Sequence, residues 1–259
     1  MKTRKMHRGI ALMAVVLATA ACQNELNEDA TNESNPGEKV TMTIRATQGT
    51  APQTRTSYED KLGIAGVDNI VVKWEGSATD ETVEKIKVFG YVKQGFATPN
   101  ELSSTPSTIS DDGSTIDFTG DVTQADNYLA IYPADNCEWD ADDASAIYFN
   151  FLNQTQDCTP GKEMVHLKGY DIMIGTPAAT GANNFTFKHA ATMLRFDLTL
   201  PTAESVTKVT LTASNNYLSS GMYVDNSNMA AGYGDVENIS LAITNHTAST
   251  SLKAYMMIC

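Results

Sequence analysis

The chain has 259 residues, of which 31 are acidic and 18 basic, for a net charge of −13. The first 21 residues hold four of the basic residues and none of the acidic ones, so the remainder carries a net charge of −17. A surface this negative repels phosphate, which excludes nucleic acid and anionic lipid headgroups as general partners. Thr, Ser, Asn, Asp and Gly are abundant, a composition that favours strands and turns over helices.

The N-terminus has the pattern of an export signal. Four basic residues within the first eight precede an uncharged run over 9–21 that is too short to cross a bilayer permanently. The run ends in TAAC at 19–22, which resembles the lipobox cut by the lipoprotein signal peptidase. We therefore expect residues 1–21 to be removed and Cys22 to carry a lipid. An ordinary secretory cut after Ala21, leaving a free cysteine, is the alternative.

The segment that follows, 22–38, is polar, acidic and poor in residues that could pack. This composition predicts a disordered tether between the lipid and the folded part. Acidic residues so soon after a lipidated cysteine resemble the surface-export signal of Bacteroides-type lipoproteins. We therefore expect a surface-exposed lipoprotein of the outer membrane.

Alternation of apolar and polar residues, the mark of a half-buried strand, begins directly after the tether. In the first strand, Val40, Met42 and Ile44 are predicted to share the buried face. Further strands are predicted at 70–74, 85–92, 114–119, 127–132, 146–152, 172–175, 192–200, 206–213, 217–224, 238–243 and 251–258. Pro201 is expected to end the strand over 192–200, because proline has no N–H to donate. Many short strands predict an all-β fold of the β-sandwich class.

Cysteine usage leaves two alternatives open. Export makes a disulfide chemically feasible, and Cys137 and Cys158 lie within one predicted domain. They could form a disulfide, and two free thiols fit the spacing equally well. Cys259 has no evident partner.

The stretch over 175–184 has no packing pattern and is the best candidate for a domain boundary. We accordingly expect two β-sandwich domains in tandem, over 39–182 and 183–259. The second is too short for a complete sandwich, and its last strand runs straight into Cys259. We therefore hypothesise that the second domain is incomplete, which sequencing the gene past its stop codon would test.

The sequence shows little sign of catalytic or metal chemistry. His166, His189 and His246 are remote from one another and lack the spacing of a zinc site. The acidic stretch over 138–146 lacks the glycine and glutamate of a calcium-binding loop, and no nucleophile elbow occurs. We therefore expect no metal, no other cofactor and no enzymatic activity. Trp139, beside the acidic stretch, is a candidate exposed contact for a sugar or a protein.

Seven segments carry a recognisable pattern. They are TRTSYED (54–60), VVKWEG (71–76), KIKVFGYV (85–92), NYLAIYPADN (127–136), NQTQDCTPG (153–161), YDIMIGTP (170–177) and FTFKHAATMLRFDLTLP (185–201). In the order of these segments the chain resembles the fimbrillin family of Bacteroides-type bacteria, the lipoprotein pilins and pilus-associated adhesins. The resemblance covers most of 39–201, and after 201 it is confined to strand richness.

The resemblance implies two transthyretin-like β-sandwich domains and assembly into a fimbria. In such pilins an arginine-specific or trypsin-like protease removes the N-terminal strand, and a strand from a neighbouring subunit fills the groove. Carried over to this chain, Val40, Met42 and Ile44 form a built-in plug. The expected partners are other pilin subunits, the processing protease, the outer membrane through the lipid, and a host protein or glycan.

Two arginines are candidates for the cleavage. Arg55 is the better one, because it lies in a predicted linker where a protease can bind an extended backbone, whereas Arg45 lies within the strand. A plain surface arginine is an equal alternative for Arg55 and the favoured interpretation of Arg45. A second interpretation of the whole chain is a surface glycan-binding lipoprotein that never polymerises and therefore keeps the segment over 39–55.

Overall fold

The computed structural model describes residues 38–48, 57–60, 70–74, 83–92, 95–179, 181–214, 218–225, 227 and 230–259. In this part of the chain the fold is all-β, as predicted, and the helices are two short 3-10 segments, Pro106–Thr108 and Val165–Gly169. No helix in the described ranges is long and apolar enough to span a membrane.

The strands are numbered in chain order. They are β1 (Lys39–Gln48), β2 (Ser57–Asp60), β3 (Ile70–Lys73), β4 (Lys85–Val92), β5 (Gly95–Phe96), β6 (Asn100–Thr105), β7 (Thr115–Thr123), β8 (Tyr128–Tyr132), β9 (Glu138–Trp139), β10 (Ala146–Asn150), β11 (Gln154–Asp157), β12 (Met173–Pro177), β13 (Asn184–His189), β14 (Thr192–Glu204), β15 (Lys208–Thr212), β16 (Leu218–Asp225), β17 (Ala230–Val236), β18 (Asn238–Thr244) and β19 (Ser249–Ile258).

The largest sheet has the strand order β5-β4-β6-β7-β1-β13-β12-β8, and β8 also pairs with β4. Seven of its strands, all except β5, therefore form one closed sheet in which each strand is paired on both sides. Strand β1 enters it between β7, to which it is antiparallel, and β13, to which it is parallel.

A first apolar cluster receives a buried side chain from every strand of the closed sheet. Its buried members are Ile44, Ala46, Trp74, Ile86, Val88, Leu102, Ile116, Phe118, Val122, Ala130, Tyr132, Met173, Phe185 and Phe187. Trp74 directly follows β3 and lies edge-on to Phe118, Tyr132 and Phe187, with ring centroids 5.5, 5.3 and 6.0 Å away. Through these aromatic contacts, the paired strands β2 and β3 are anchored to the core of the closed sheet.

A second apolar cluster lies on the other face of β4 and β8. Phe89, Leu129 and Ile131 pack there against the inner face of a four-stranded sheet with the order β17-β16-β10-β9. Because both faces of β8 are covered, four of its five residues are buried and its alternation disappears.

A third apolar cluster collects the remaining strands. Side chains of β18 and β19 form its buried centre, and partly buried residues of β14, β15, β16 and β17 surround them. Strands β11, β18 and β15 form one sheet in that order, and β14 pairs with β19. Strand β19 contributes Leu252, Ala254 and Met256 to this cluster and Tyr255 and Met257 to the second, so both of its faces are buried.

The strand pairing does not reproduce the domain boundary predicted at residue 182. Strand β13 follows that boundary and pairs with β1 and β12, which precede it. The pairs β10–β16 and β11–β18 cross it as well. Residues 34–259 form one compact unit. The segment over 175–184 therefore connects two strands that pair with each other, β12 and β13.

The predicted effect of Pro201 was wrong, because β14 continues to Glu204. Regular pairing with β19 stops at Thr199, opposite Ser251, and resumes at Glu204, opposite Ser249. Pro201, which has no N–H to donate, lies within this irregularity.

Candidate functional site

The inward face of β1 is the feature that the sequence singled out, and it lies where the alternation placed it. Ile44 and Ala46 are fully buried in the first cluster, and Val40 and Met42 are partly buried against it. Each faces a defined position of β7: Val40 lies opposite Val122, Met42 opposite Gly120, Ile44 opposite Phe118 and Ala46 opposite Ile116. The side chains of β1 therefore complete the core of the closed sheet.

Strand β1 pairs with more residues on one edge than on the other. Nine residue pairs, from Lys39 opposite Thr123 to Thr47 opposite Thr115, join it to β7. Only four, Arg45–Gln48, join it to β13. Along the first part of β1 the described structure has a ladder partner on the β7 side alone.

Polar contacts on the outward face of β1 reinforce the pairing with β7. Thr41 Oγ1 donates to Asp121 Oδ1 at 2.7 Å, and the hydroxyls of Thr43 and Thr119 lie 3.1 Å apart. These cross-strand contacts are exposed, and each is worth roughly 0.2–1 kcal/mol. They specify register more than they add stability.

Arg45 belongs to this outward face. Its guanidinium binds Asp117 with two hydrogen bonds of 2.8 and 2.9 Å, and this carboxylate raises the pKa of Arg45. Its backbone N–H donates to the carbonyl of Asn183 at 2.9 Å. A protease needs an extended, unpaired backbone, so these contacts favour a structural role for Arg45. Arg55 and Cys22 lie outside the described residues.

Asp60, the last residue of β2, anchors this strand to the rest of the fold. Its carboxylate accepts hydrogen bonds from Arg195 Nη1 at 2.8 Å and from the hydroxyl of Tyr255 at 2.7 Å. The ammonium of Lys253 lies 3.4 Å away. Burial, and then the bond to Asp60, raise the pKa of Tyr255, so its hydroxyl stays a donor at neutral pH. Strand β2 is thereby tied to β14 and β19, independently of β1.

Each of the three histidines in the described part of the chain has a protein partner. His166 Nε2 lies 2.9 Å from the carbonyl of Tyr255, and His189 Nδ1 lies 2.5 Å from Asp171 Oδ1. His246 Nδ1 accepts from the backbone N–H of Val206 at 3.0 Å. Among the described residues, no three His, Cys, Asp or Glu side chains converge as metal ligands would.

The disulfide considered for Cys137 and Cys158 is not formed, and both are free thiols. Cys137 is buried in the second cluster, where desolvation raises its pKa to about 12. Cys158 packs against the third cluster and accepts a hydrogen bond from Gln156 Nε2 at 3.7 Å. The two side chains thus belong to different cores. Trp139 likewise packs against the second cluster, so it is not the exposed contact considered for it.

Sequence reasoning missed two fully buried glutamines on β11. Gln154 donates to the carbonyl of Met257 at 2.6 Å and accepts from its N–H at 2.8 Å. Gln156 donates to the carbonyl of Lys253 at 2.8 Å and accepts from the N–H of Tyr255 at 2.9 Å. Two side-chain amides therefore replace a neighbouring strand along one edge of β19. The i, i+2 spacing of the glutamines in QTQD is the signal that could have indicated this.

Comparison with protein-family models finds no match for the chain, and comparison with curated proteins finds none either.

Proposed function

We propose that the chain is a fimbrial subunit or minor pilus-associated adhesin, exported to the outer membrane as a lipoprotein on Cys22. Assembly follows proteolytic removal of β1 and replacement of that strand by one from a neighbouring subunit. The observation that carries the proposal is the position of β1, between β7 and β13 with its apolar face in the first cluster. The order of the seven family-like segments supports it.

Loss of β1 would leave an apolar groove with two open edges. The side chains beneath it include Ile116, Phe118, Phe185 and Phe187, all buried when β1 is in place. Burying such a side chain contributes roughly 1.5–3 kcal/mol, so the open groove favours a replacement strand strongly. Unpaired edges on β7 and β13 supply the backbone groups that recruit it.

The shape of the groove restricts the sequence of a replacement strand. Apolar residues are required at alternate positions, as in β1. The position opposite Gly120 accepts a long side chain, since Met42 occupies it now, and the position between Ile116 and Phe185 accepts a small one, since Ala46 occupies it. This pattern distinguishes an exchanging strand from a generic polar edge strand.

Cleavage at Arg55 would act as the switch by changing connectivity. While β1 is covalently attached, its effective concentration at the groove is in the millimolar range or higher, and another strand cannot compete. Once the bond is cut, β1 is held by its contacts alone. Strand β2 stays in place through Asp60, so only the segment before Arg55 becomes exchangeable.

The proposal is tested on the unlipidated precursor, residues 22–259, treated with trypsin. We expect loss of the segment up to Arg55 and ladders of subunits on gels run without boiling. The Arg55→Ala precursor should keep β1 and stay monomeric, while Arg45→Ala should behave like the parent. A non-polymerising glycan-binding lipoprotein would keep 39–55 and bind polysaccharide as a monomer, and ladders formed equally well by Arg55→Ala would overturn the role of Arg55.

A further inference from the structure

The outer face of the four-stranded sheet carries three tyrosines with no role in strand exchange. On β10 and β16 the inner side chains Ile147, Phe149, Met222 and Val224 are fully buried, whereas the outer Tyr148 and Tyr223 are only partly buried. Tyr148 and Tyr223 lie directly opposite each other, with ring centroids 6.3 Å apart. The face is therefore an aromatic surface backed by a rigid core.

Tyr233 on β17 completes the surface. Its ring lies edge-on to Tyr148, with centroids 5.5 Å apart, and it crosses over Gly221 on the adjacent strand. A Cβ at Gly221 would lie 2.6 Å from this ring and 2.4 Å from the carbonyl oxygen of Phe149, so only glycine lets the ring cover the strand. We call Tyr148, Tyr223 and Tyr233 the tyrosine face.

The segments that build the sheet of the tyrosine face are acidic. Residues 138–150 and 218–236 contain six acidic residues and neither lysine nor arginine. Asp143 Oδ2 accepts a hydrogen bond from the Tyr148 hydroxyl at 3.2 Å, and Glu138 lies opposite Tyr148 on β9. Hydrogen bonds from Ser145 and Tyr148 lower the pKa of Asp143, so its carboxylate is ionised at neutral pH.

Aromatic faces and carboxylates attract the same kind of ligand. The face of a tyrosine ring carries negative charge density that binds an ammonium or guanidinium, and nearby carboxylates add Coulomb attraction. A second copy of this acidic chain would be repelled. We propose that the tyrosine face is a docking surface for a basic, lysine- or arginine-bearing segment of another protein. This inference does not rest on strand exchange.

Binding is tested on uncleaved residues 22–259 with a fluorescein-labelled hexa-arginine peptide, by anisotropy at low salt. We expect Tyr148→Leu and Tyr223→Leu to weaken binding by about fivefold each, whereas Tyr223→Phe keeps it, because the ring and not the hydroxyl holds the cation. These variants leave the net charge unchanged. They therefore distinguish specific binding at the tyrosine face from general electrostatic attraction of the peptide to an acidic protein. Asp143→Asn should also weaken binding, and the matched change Asp111→Asn, in a turn elsewhere, should not.

Three results would overturn the inference. One is equal peptide affinity for the parent and both leucine variants, provided that circular dichroism shows them folded. Another is an equal effect of Asp111→Asn and Asp143→Asn. The third is salt-independent binding of a neutral oligosaccharide, such as laminarihexaose, that is lost in the leucine variants while hexa-arginine binds no better than hexaglycine.

Discussion

Two buried side chains on β11 satisfy backbone hydrogen-bonding groups of β19. The edge of β19 that faces β11 has no strand ladder, and the amides of Gln154 and Gln156 serve its backbone groups instead. A buried amide left without partners is costly, so these two side chains must be glutamine or something equally able to donate and accept. The buried side chains of β11 must therefore be polar, because they satisfy the backbone hydrogen bonds of β19.

Replacing Gln156 by leucine is expected to lower the free energy of unfolding by about 2–4 kcal/mol, because the N–H of Tyr255 and the carbonyl of Lys253 lose their partners. The measurement is urea unfolding followed by circular dichroism. Thr155→Ala, at the exposed position between the two glutamines, is the matched control and should change little. A Gln156→Leu variant as stable as this control would show that the amide bonds are dispensable.

The carboxylate of Asp157 gives a pH dependence with a definite sign. Hydrogen bonds from Asn245 and from the hydroxyl and N–H of Thr159 lower its pKa to about 2, against roughly 3.9 in an unfolded chain. The stabilisation is therefore fully present above about pH 4 and is lost as the pH falls toward 2. We expect the melting temperature of Asp157→Asn to lie below that of the parent at pH 7 and to converge with it near pH 2. A pH-independent difference would contradict this origin.

At the scale of elements, β1 shows how far alternation alone can predict packing. The inward face of Val40, Met42 and Ile44 followed from period two, because one face of β1 meets the core and the other meets solvent. For β8 the strand was predicted, but alternation does not show that both of its faces are buried, and β11 gave no such signal because its buried residues are polar. Strand β6, with the sequence NELSST, was missed because few of its side chains are apolar.

Truncating a side chain on the apolar face of β1 should loosen the strand. Ile44 is fully buried opposite Phe118, so Ile44→Ala is expected to cost about 2–5 kcal/mol. Thr43→Ala, on the exposed face of the same strand, should cost less than about 1 kcal/mol. Hydrogen exchange of the β7 amides reports the loosening, and equal protection in the two variants would show that the apolar face does not hold the strand.

At the scale of the whole molecule, long-range pairing explains what sequence reasoning could not supply. Thr47 donates to the carbonyl of Phe185, 138 residues further along the chain, and such parallel partners leave no local signal. Pairs between distant strands also cross the boundary predicted near residue 182. The tyrosine face was equally hidden, because Tyr148, Tyr223 and Tyr233 are brought together only by the pairing of β10, β16 and β17.

The closed sheet is compatible with the proposed order of events, in which export precedes assembly. With β1 in place, the apolar face of the groove is covered, and β1 pairs with β7 over nine residues and with β13 over four. The high net negative charge adds repulsion between copies. Under the proposed function, association would be confined to molecules whose β1 has been released.

Whether β1 is an exchangeable strand can be measured by adding a synthetic peptide of residues 39–48 to the trypsin-cleaved protein. We expect the peptide to bind one to one and to stop ladder formation, while the same peptide with Ile44→Asp does neither. Ladders that form unchanged in the presence of the parent peptide, or a cleaved protein that keeps β1 and never assembles, would contradict it.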